Sequence, residues 1–441
     1  MTESMYYVWL SLACGAGATV SLKLLNEFGS AEDIYSATKE DLLGAYKFVN
    51  NGHVLDRLLD KDLGRTEKIL EYCAKNNVSI LTCDSSLYPK RLKSTRSYPV
   101  VLYYKGKLID IDDNLCVTMV GTRNMSRYGK ITAYELGREL ALCGAVVVSG
   151  MAKGIDAAAQ KGCLFENGFT IAVLGCGIDI VYPEENKLLM DKIIEKGLVI
   201  TEYPPHTEPS GKNFPIRNRI MTGLSQAVLI VEADNRSGAL ITARLALAEG
   251  RGVYAVPGNI DSEKSRGTNM LIKNGAEMVT SGYDILSDYE HIYSHRINIE
   301  NSKYYKSGAY KAVQNRYAKA ETEKKNKRND ANKAAEIIET GENRGTGEII
   351  ETGENENVIV VEVDLSENLS AEEKLEKLNV TLNETELEVY KFFYDKKAAK
   401  VHPNDIKIDN ISKPDIINTL TFLELYGLID SHPGDYFSIS I

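Results

Sequence analysis

The stretch LCVTMVGTRNMSRYG, residues 115–129, decides how the chain folds. A short run rich in β-branched residues ends at Gly121. A turn carrying Thr122, Arg123 and Ser126 then leads into a helical pattern from Arg127 and Gly129 onward. The same grammar returns in AVVVSGMAKGID (145–156), TIAVLGCGIDIVYP (170–183), GLVITEYPPHTEPSGKNFPIRNR (197–219), QAVLIVEADNRSGALIT (226–242) and VYAVPGNIDSEKSRGTN (253–269). Continuous apolar strands alternating with helices predict a parallel sheet buried on both faces, joined by right-handed crossovers.

Working outward, VSILT and PVVLYYKG bridge into this unit, so residues 76–287 read as one α/β domain. Its expected form is Rossmann-like, a mostly parallel sheet with helices on both faces. Residues 1–75 read as a small helical domain, SAM- or helix-hairpin-helix-like, with Gly15 and Gly17 at a turn. Such a turn suits backbone contact to phosphate, although a packing module needs no ligand. Residues 288–378 read as a charged, disordered linker. It holds 10 basic and three acidic residues over 303–333, then 12 acidic and one basic over 336–373. Its segment IIETGEN occurs at 337–343 and again at 349–355. Residues 379–441 read as winged-helix-like: ETELEVYKFFY, HPNDIKID and SKPDIINTLTFLELYGLI as helices, then IDSHPGDYFSI as strand, turn and strand. That module is poor in cations, which favours a protein-contact or structural role over reading duplex DNA.

A hydrophobic share of 43% permits a large core, and seven cysteines without a CxxC pair read as reduced thiols of a cytoplasmic chain. Neither a signal peptide nor an apolar run of membrane-spanning length is evident, so no membrane is expected. The net charge of -10 argues against nucleic acid only if it is uniform, and residues 115–286 balance 18 basic against 18 acidic residues.

Ligands of open α/β sheets bind beyond the carboxyl ends of the strands. The candidate contacts there are Gly121, Thr122, Arg123 and Arg127 after the first strand, and Ser149, Gly150 and Lys153 after the second. Gly175 and Gly177 follow the third. Lys212, Phe214, Arg217, Asn218 and Arg219 follow the fourth. Arg236, Ser237 and Gly238 follow the fifth, and Arg266 the sixth. Glycines let backbone N–H groups approach phosphate, and helix starts add positive potential. A row of such loops suits an extended polyanion, and cations flanking Phe214 suit a single strand whose bases stack on the ring. Duplex DNA is a poorer fit, because sheet-edge loops offer no helix or ribbon for the major groove.

These loops resemble the DNA-processing protein A (Smf) family in VGTRNMSRYG, VVSGMAKGIDAAAQ, VLGCGIDIVYP, TEYPP, FPIRNRIMTGLS, VEADNRSGALITARLALAEGR, VYAVPGNI and GTNMLIKNGA. The resemblance implies a single-stranded DNA-binding recombination mediator that loads the RecA recombinase on incoming DNA in natural transformation, the competence pathway. It also implies a homodimer formed through the Rossmann-like domain, DNA contact at Arg123, Phe214, Arg217, Asn218 and Arg219, and no enzymatic activity. Single-strand-binding protein is a further expected partner. Charge reversal at Arg123, or a double change at Arg217 and Arg219, is expected to abolish strand binding and leave the fold intact.

Two alternatives compete. A nucleotide-binding or nucleotide-hydrolysing Rossmann-fold enzyme would use Asp156, Asp179, Glu202, Glu232 or Asp261 as acid or base. The P-loop, HExxH and GxGxxG signatures are missing, so no cofactor and no metal are expected. A pure adaptor would bind DNA weakly and without salt dependence.

Overall fold

The computed structural model describes residues 2–17, 19–45 and 52–303 and, in pieces, 371–439. The expected linker between 304 and 370 lies outside the described residues.

Nine strands form one sheet: β1 (Ser79–Thr82), β2 (Val101–Gly106), β3 (Cys116–Val120), β4 (Val146–Ser149), β5 (Thr170–Val173), β6 (Leu198–Thr201), β7 (Ala227–Ile230), β8 (Gly252–Ala255) and β9 (Glu277–Met278). Their order across the sheet is β1-β2-β6-β5-β4-β3-β7-β8-β9. From β6 to β9 all neighbours are parallel. The chain starts in the middle at β3, moves outward through β4, β5 and β6, and returns to β7 on the other side of β3. The strand order therefore reverses between β3 and β7, where Val117 lies opposite Ala227 and Val120 opposite Ile230. Loops leaving those two strands diverge and open a crevice at the carboxyl edge.

Helices lie on both faces, as the unbroken apolar strands require. In chain order they are α1 (Thr2–Cys14), α2 (Val20–Phe28), α3 (Ala31–Ser36), α4 (Lys39–Ala45), α5 (Gly52–Leu59), α6 (Gly64–Lys75), α7 (Lys90–Lys93), α8 (Arg127–Leu142), α9 (Ile155–Phe165), α10 (Lys187–Lys196), α11 (Asn213–Leu224), α12 (Gly238–Ala248), α13 (Arg266–Lys273), α14 (Gly282–Tyr293) and α15 (Glu384–Lys396). Alternate residues of one strand serve two cores. Val120 and Ile230 join the core under α10, α11 and α12, which continues into Trp9, Leu24 and Leu58 of the N-terminal helices. Val117, Met119 and Leu229 join the core under α8, α9 and α14.

The bridge strand β2, read at the start of the α/β domain, pairs antiparallel with β6 and β1 and covers the β6 edge. Three expectations change. FPIRNR, expected in a loop, forms the first turns of α11, with Pro215 where the N–H has no helical partner to lose. Residues 288–303, expected in the linker, stay packed: Tyr293, Ile297 and Ile299 are buried in the core under α8 and α14. HPNDIKID contains a 3₁₀ turn at Pro403–Asp405 in place of a helix.

The C-terminal part carries α15 and an antiparallel pair, β10 (Ile429–His432) and β11 (Tyr436–Ile439). Val401 bridges Phe437 of β11. Val389, Tyr390 and Phe393 of α15 are buried, as are Leu420, Leu423 and Ile429. The helix expected over SKPDIINTLTFLELYGLI falls largely outside the described residues.

Candidate nucleic-acid interface

Phe214 stands at the start of α11, and its neighbours fix that start against the β5 edge. Asn213 donates its side-chain amide to the Gly175 carbonyl at 3.0 Å, and the Tyr203 hydroxyl donates to the Asn213 carbonyl at 3.2 Å. The Phe214 ring then covers Gly175, where an added Cβ would come within 2.8 Å of the ring. Tyr182 stacks on Phe214 with centroids 5.5 Å apart and planes 30° apart. The Arg123 guanidinium carbon lies 4.9 Å from the Phe214 centroid and that of Arg217 lies 5.9 Å away. Both distances suit attraction between a cation and an aromatic face.

The two arginines differ. Arg123 is exposed at the end of β3, whereas Arg217 is 3% exposed. Arg217 donates from Nη1 to the Gly150 carbonyl at 2.9 Å and also to the Val173 carbonyl. Its electrostatic partner is Asp156, a buried carboxylate that accepts the Gly150 N–H at 3.1 Å. Burial lowers the Arg217 pKa and raises that of Asp156, and each charge works against the other's shift. This pair braces the floor of the site.

A groove of about 830 Å³ runs along the switch point. Gly121, Thr122 and Arg123 line it from the β3 loop; Phe214, Arg217 and Asn218 line it from α11. Arg236, Ser237 and Gly238 line it from the β7 loop. Ser237 caps α12 by accepting the Ala239 N–H, and an added Cβ on Gly238 would meet open space. The positive end of α12 thus faces the groove. Tyr182 and Arg244 also line it without being among the candidate contacts. Tyr182 was legible as an aromatic ending the β5 loop, but Arg244 lies inside a helix where no loop motif points to it. Across from Arg244, the buried Glu386 of α15 forms an ion pair with this half-buried arginine, and Thr385 and Thr419 complete that wall.

The other candidates stand elsewhere. Ser149 donates to the Met119 carbonyl at 2.6 Å. Gly150 gives its N–H to Asp156 and its carbonyl to Arg217, and Gly177 gives its N–H to the Thr207 carbonyl at 2.8 Å. Those backbone groups are satisfied within the protein. Arg127, Lys153, Lys212 and Arg266 are exposed but outside the groove, with Lys153 3.7 Å from Glu185 and Arg266 3.9 Å from Glu263. Arg219 is 5% exposed and bonded to Glu202 at 2.5 Å. Glu202 also accepts the Gly17 N–H at 3.0 Å, so the N-terminal glycine turn is seated on the sheet domain. Changing Arg217 and Arg219 together would therefore strip the buried Arg219–Glu202 ion pair and the Arg217 bonds to the Gly150 and Val173 carbonyls, which argues against the expectation of an intact fold.

Among the described residues no group of three or more His, Cys, Asp or Glu is placed to hold a metal ion, and no helix is long and apolar enough to cross a membrane.

Fold and edge together define a Rossmann-like protein with a cationic, aromatic groove at the switch point. The chain belongs to the family described as DNA recombination-mediator protein A, which matches residues 79–290. It is 37% identical over 65% of its length to 72% of Protein Smf from Synechocystis. It is 45% identical over 46% of its length to 71% of the DNA processing protein DprA of Streptococcus pneumoniae. It is 33% identical over 62% of its length to 93% of the DprA of Bacillus subtilis. The solved structure of the Streptococcus pneumoniae DNA processing protein A superimposes with a TM-score of 0.58 at 35% identity, covering 64% of this chain and 97% of that one.

Proposed function

We propose that the switch-point groove binds single-stranded DNA, and that the chain is a non-enzymatic, cytoplasmic mediator that loads RecA on incoming strands in natural transformation. The carrying observation is the half-buried Phe214 ring between Tyr182 and Arg123 at the mouth of a groove that also presents Arg236 and the start of α12. A base stacks on the rings while Arg123 and Arg236 neutralise the flanking phosphates. Asp156, the carboxylate nearest this floor, is bonded to Gly150 and faces Arg217, which supports bracing over acid–base work. RecA loading is consistent with a family described as recombination mediators, and single-strand-binding protein is a further proposed partner. Pairing of two chains through the sheet domain is supported by Met278, exposed on the short edge strand β9, and by exposed Leu247 on α12 and Met270 on α13. The C-terminal module is a winged helix, supported by α15, the β10–β11 hairpin and the Val401 bridge.

The test is fluorescence anisotropy of a labelled single strand and the matching duplex across a salt series. Tight binding selective for the single strand, falling steeply with salt, is expected. Equal or salt-insensitive binding to both would overturn this function in favour of the adaptor, and turnover of nucleoside monophosphates would favour the enzyme.

A further inference from the structure

We propose that the cleft between α8 and α9 is a second nucleotide subsite on the same strand path, taken by the single strand as it leaves the switch-point groove; this rests on the single-strand function above. The two helices touch backbone to backbone lower down. An added Cβ on Gly137 would collide with the Ala159 carbonyl, and one on Gly162 with the Tyr134 carbonyl. Their N-terminal turns line a cleft of about 650 Å³. Arg123 lines both this cleft and the switch-point groove, so the two lie on either side of that one exposed cation.

The cleft has the composition of a stacking platform. Its apolar lining includes Met125, Ile131 and Tyr134, and Ile131 is 52% exposed, a large apolar surface left open beside charged neighbours. Tyr134 is half-buried, its ring 6.1 Å from that of Phe165. Lys130, Lys153 and Lys161 stand on the rim, and the helix starts at Ser126 and Gly154 add positive potential. The two rim carboxylates already have cations of their own: Glu135 pairs with Lys303 and with Arg138 at 3.2 Å, and Glu185 with Lys153 at 3.7 Å. Among the described residues the Lys130 and Lys161 side chains form no ion pair, so both remain to meet phosphate. An apolar, aromatic floor under unpaired cations, next to the switch-point groove across Arg123, fits one more base and its phosphates.

The experiment compares the wild-type full chain with the double variant Lys130→Ala, Lys161→Ala. Both side chains are exposed, and an unchanged melting temperature checks the fold. Affinity is measured for labelled oligothymidylates of about four and about twelve nucleotides across a salt series. The expected result is unchanged affinity for the short strand and about tenfold weaker binding of the long one. The salt slope for the long strand should fall by about 1.4, two phosphate contacts at 0.7 each. Unchanged binding of both lengths, or an equal loss for both, would overturn the subsite. Failure of the wild-type chain to bind either strand would overturn the single-strand function itself, and is seen without reference to the variant.

Discussion

Arg123 and Arg217 approach the one Phe214 ring, at 4.9 and 5.9 Å, from opposite environments: Arg123 is exposed and Arg217 is buried. The outer cation is free to take a phosphate while the inner one holds the protein together. Phe214→Ala should therefore weaken single-strand binding by about 1–3 kcal/mol, the contribution of one base–aromatic stack, or roughly 5- to 150-fold. Phe214→Trp should keep most of it. Arg123→Ala should lower affinity and reduce the salt slope by about 0.7, with no change in melting temperature. Anisotropy and thermal melts on the same preparations separate these outcomes; a large melting loss in Arg123→Ala would place that residue in the bracing set instead.

Arg219 behaves as a joint between domains rather than as a DNA contact. Its 2.5 Å bond to Glu202, and the 3.0 Å bond from Gly17 to the same carboxylate, tie α11 to the N-terminal helices. Removing one member of a buried pair leaves the other charge without compensation and costs about 3–5 kcal/mol. Glu202→Ala is expected to lower the unfolding free energy by that amount, read from the shift in denaturant midpoint at constant m. Glu202→Met, Arg219→Met together should recover much of the loss. An exposed, weak pair would instead show less than about 1 kcal/mol in both.

This joint also shows where the sequence stops being legible. The strands could be read because each is an unbroken β-branched run ending in glycine, and helices from Arg127, Ile155 and Gly238 followed from what must cover a parallel sheet. The start of α11 was hidden, because two of its buried positions are Arg217 and Arg219, so no apolar period marks its inner face. Their partners, Asp156 and Glu202, lie on other segments and are chosen by the sheet order, which no local pattern encodes. The glycines were legible as special positions but not by cause. Gly150 and Gly175 are small because Arg217 and Phe214 occupy the space a side chain would need.

The thiols should be inert in the folded protein. All seven cysteines are buried, and burial pushes those of Cys14, Cys83, Cys116 and Cys163 up to about 12 and those of Cys73 and Cys176 up to about 11. Only the thiolate reacts, so a disulfide reagent at about pH 8 should modify none of them quickly. All seven should react in strong denaturant. A single fast thiol in the native protein would reveal a local opening of the helix or strand that carries it.

Acid should loosen the segment after α14. Asp113 is held below its ordinary 3.8, first by the hydrogen bond from Arg296 and then by that from His295. Glu135 is held below 4.5, first by Lys303. A lowered folded-state value means that the stabilisation is complete above the unfolded value and is lost as pH falls through the folded one. Asp113→Asn should therefore melt below the parent at pH above about 4.5, and the two should converge in stronger acid. A gap that persists at low pH would show that the contact is not ionic.

Gly175→Ala and Gly150→Ala separate the outer from the inner half of the site. A Cβ at Gly175 meets the Phe214 ring at 2.8 Å, and that ring is half-buried and has room to swing. The expected result is a small change in melting temperature and a loss of single-strand affinity approaching that of Phe214→Ala. A Cβ at Gly150 drives into the Arg217 guanidinium, which is held by the Gly150 and Val173 carbonyls and cannot withdraw. That variant should lose about 1–3 kcal/mol of stability, the usual cost of overpacking. Equal destabilisation by both would mean that the Phe214 ring is as fixed as Arg217, and that its orientation is set by the fold before any strand arrives.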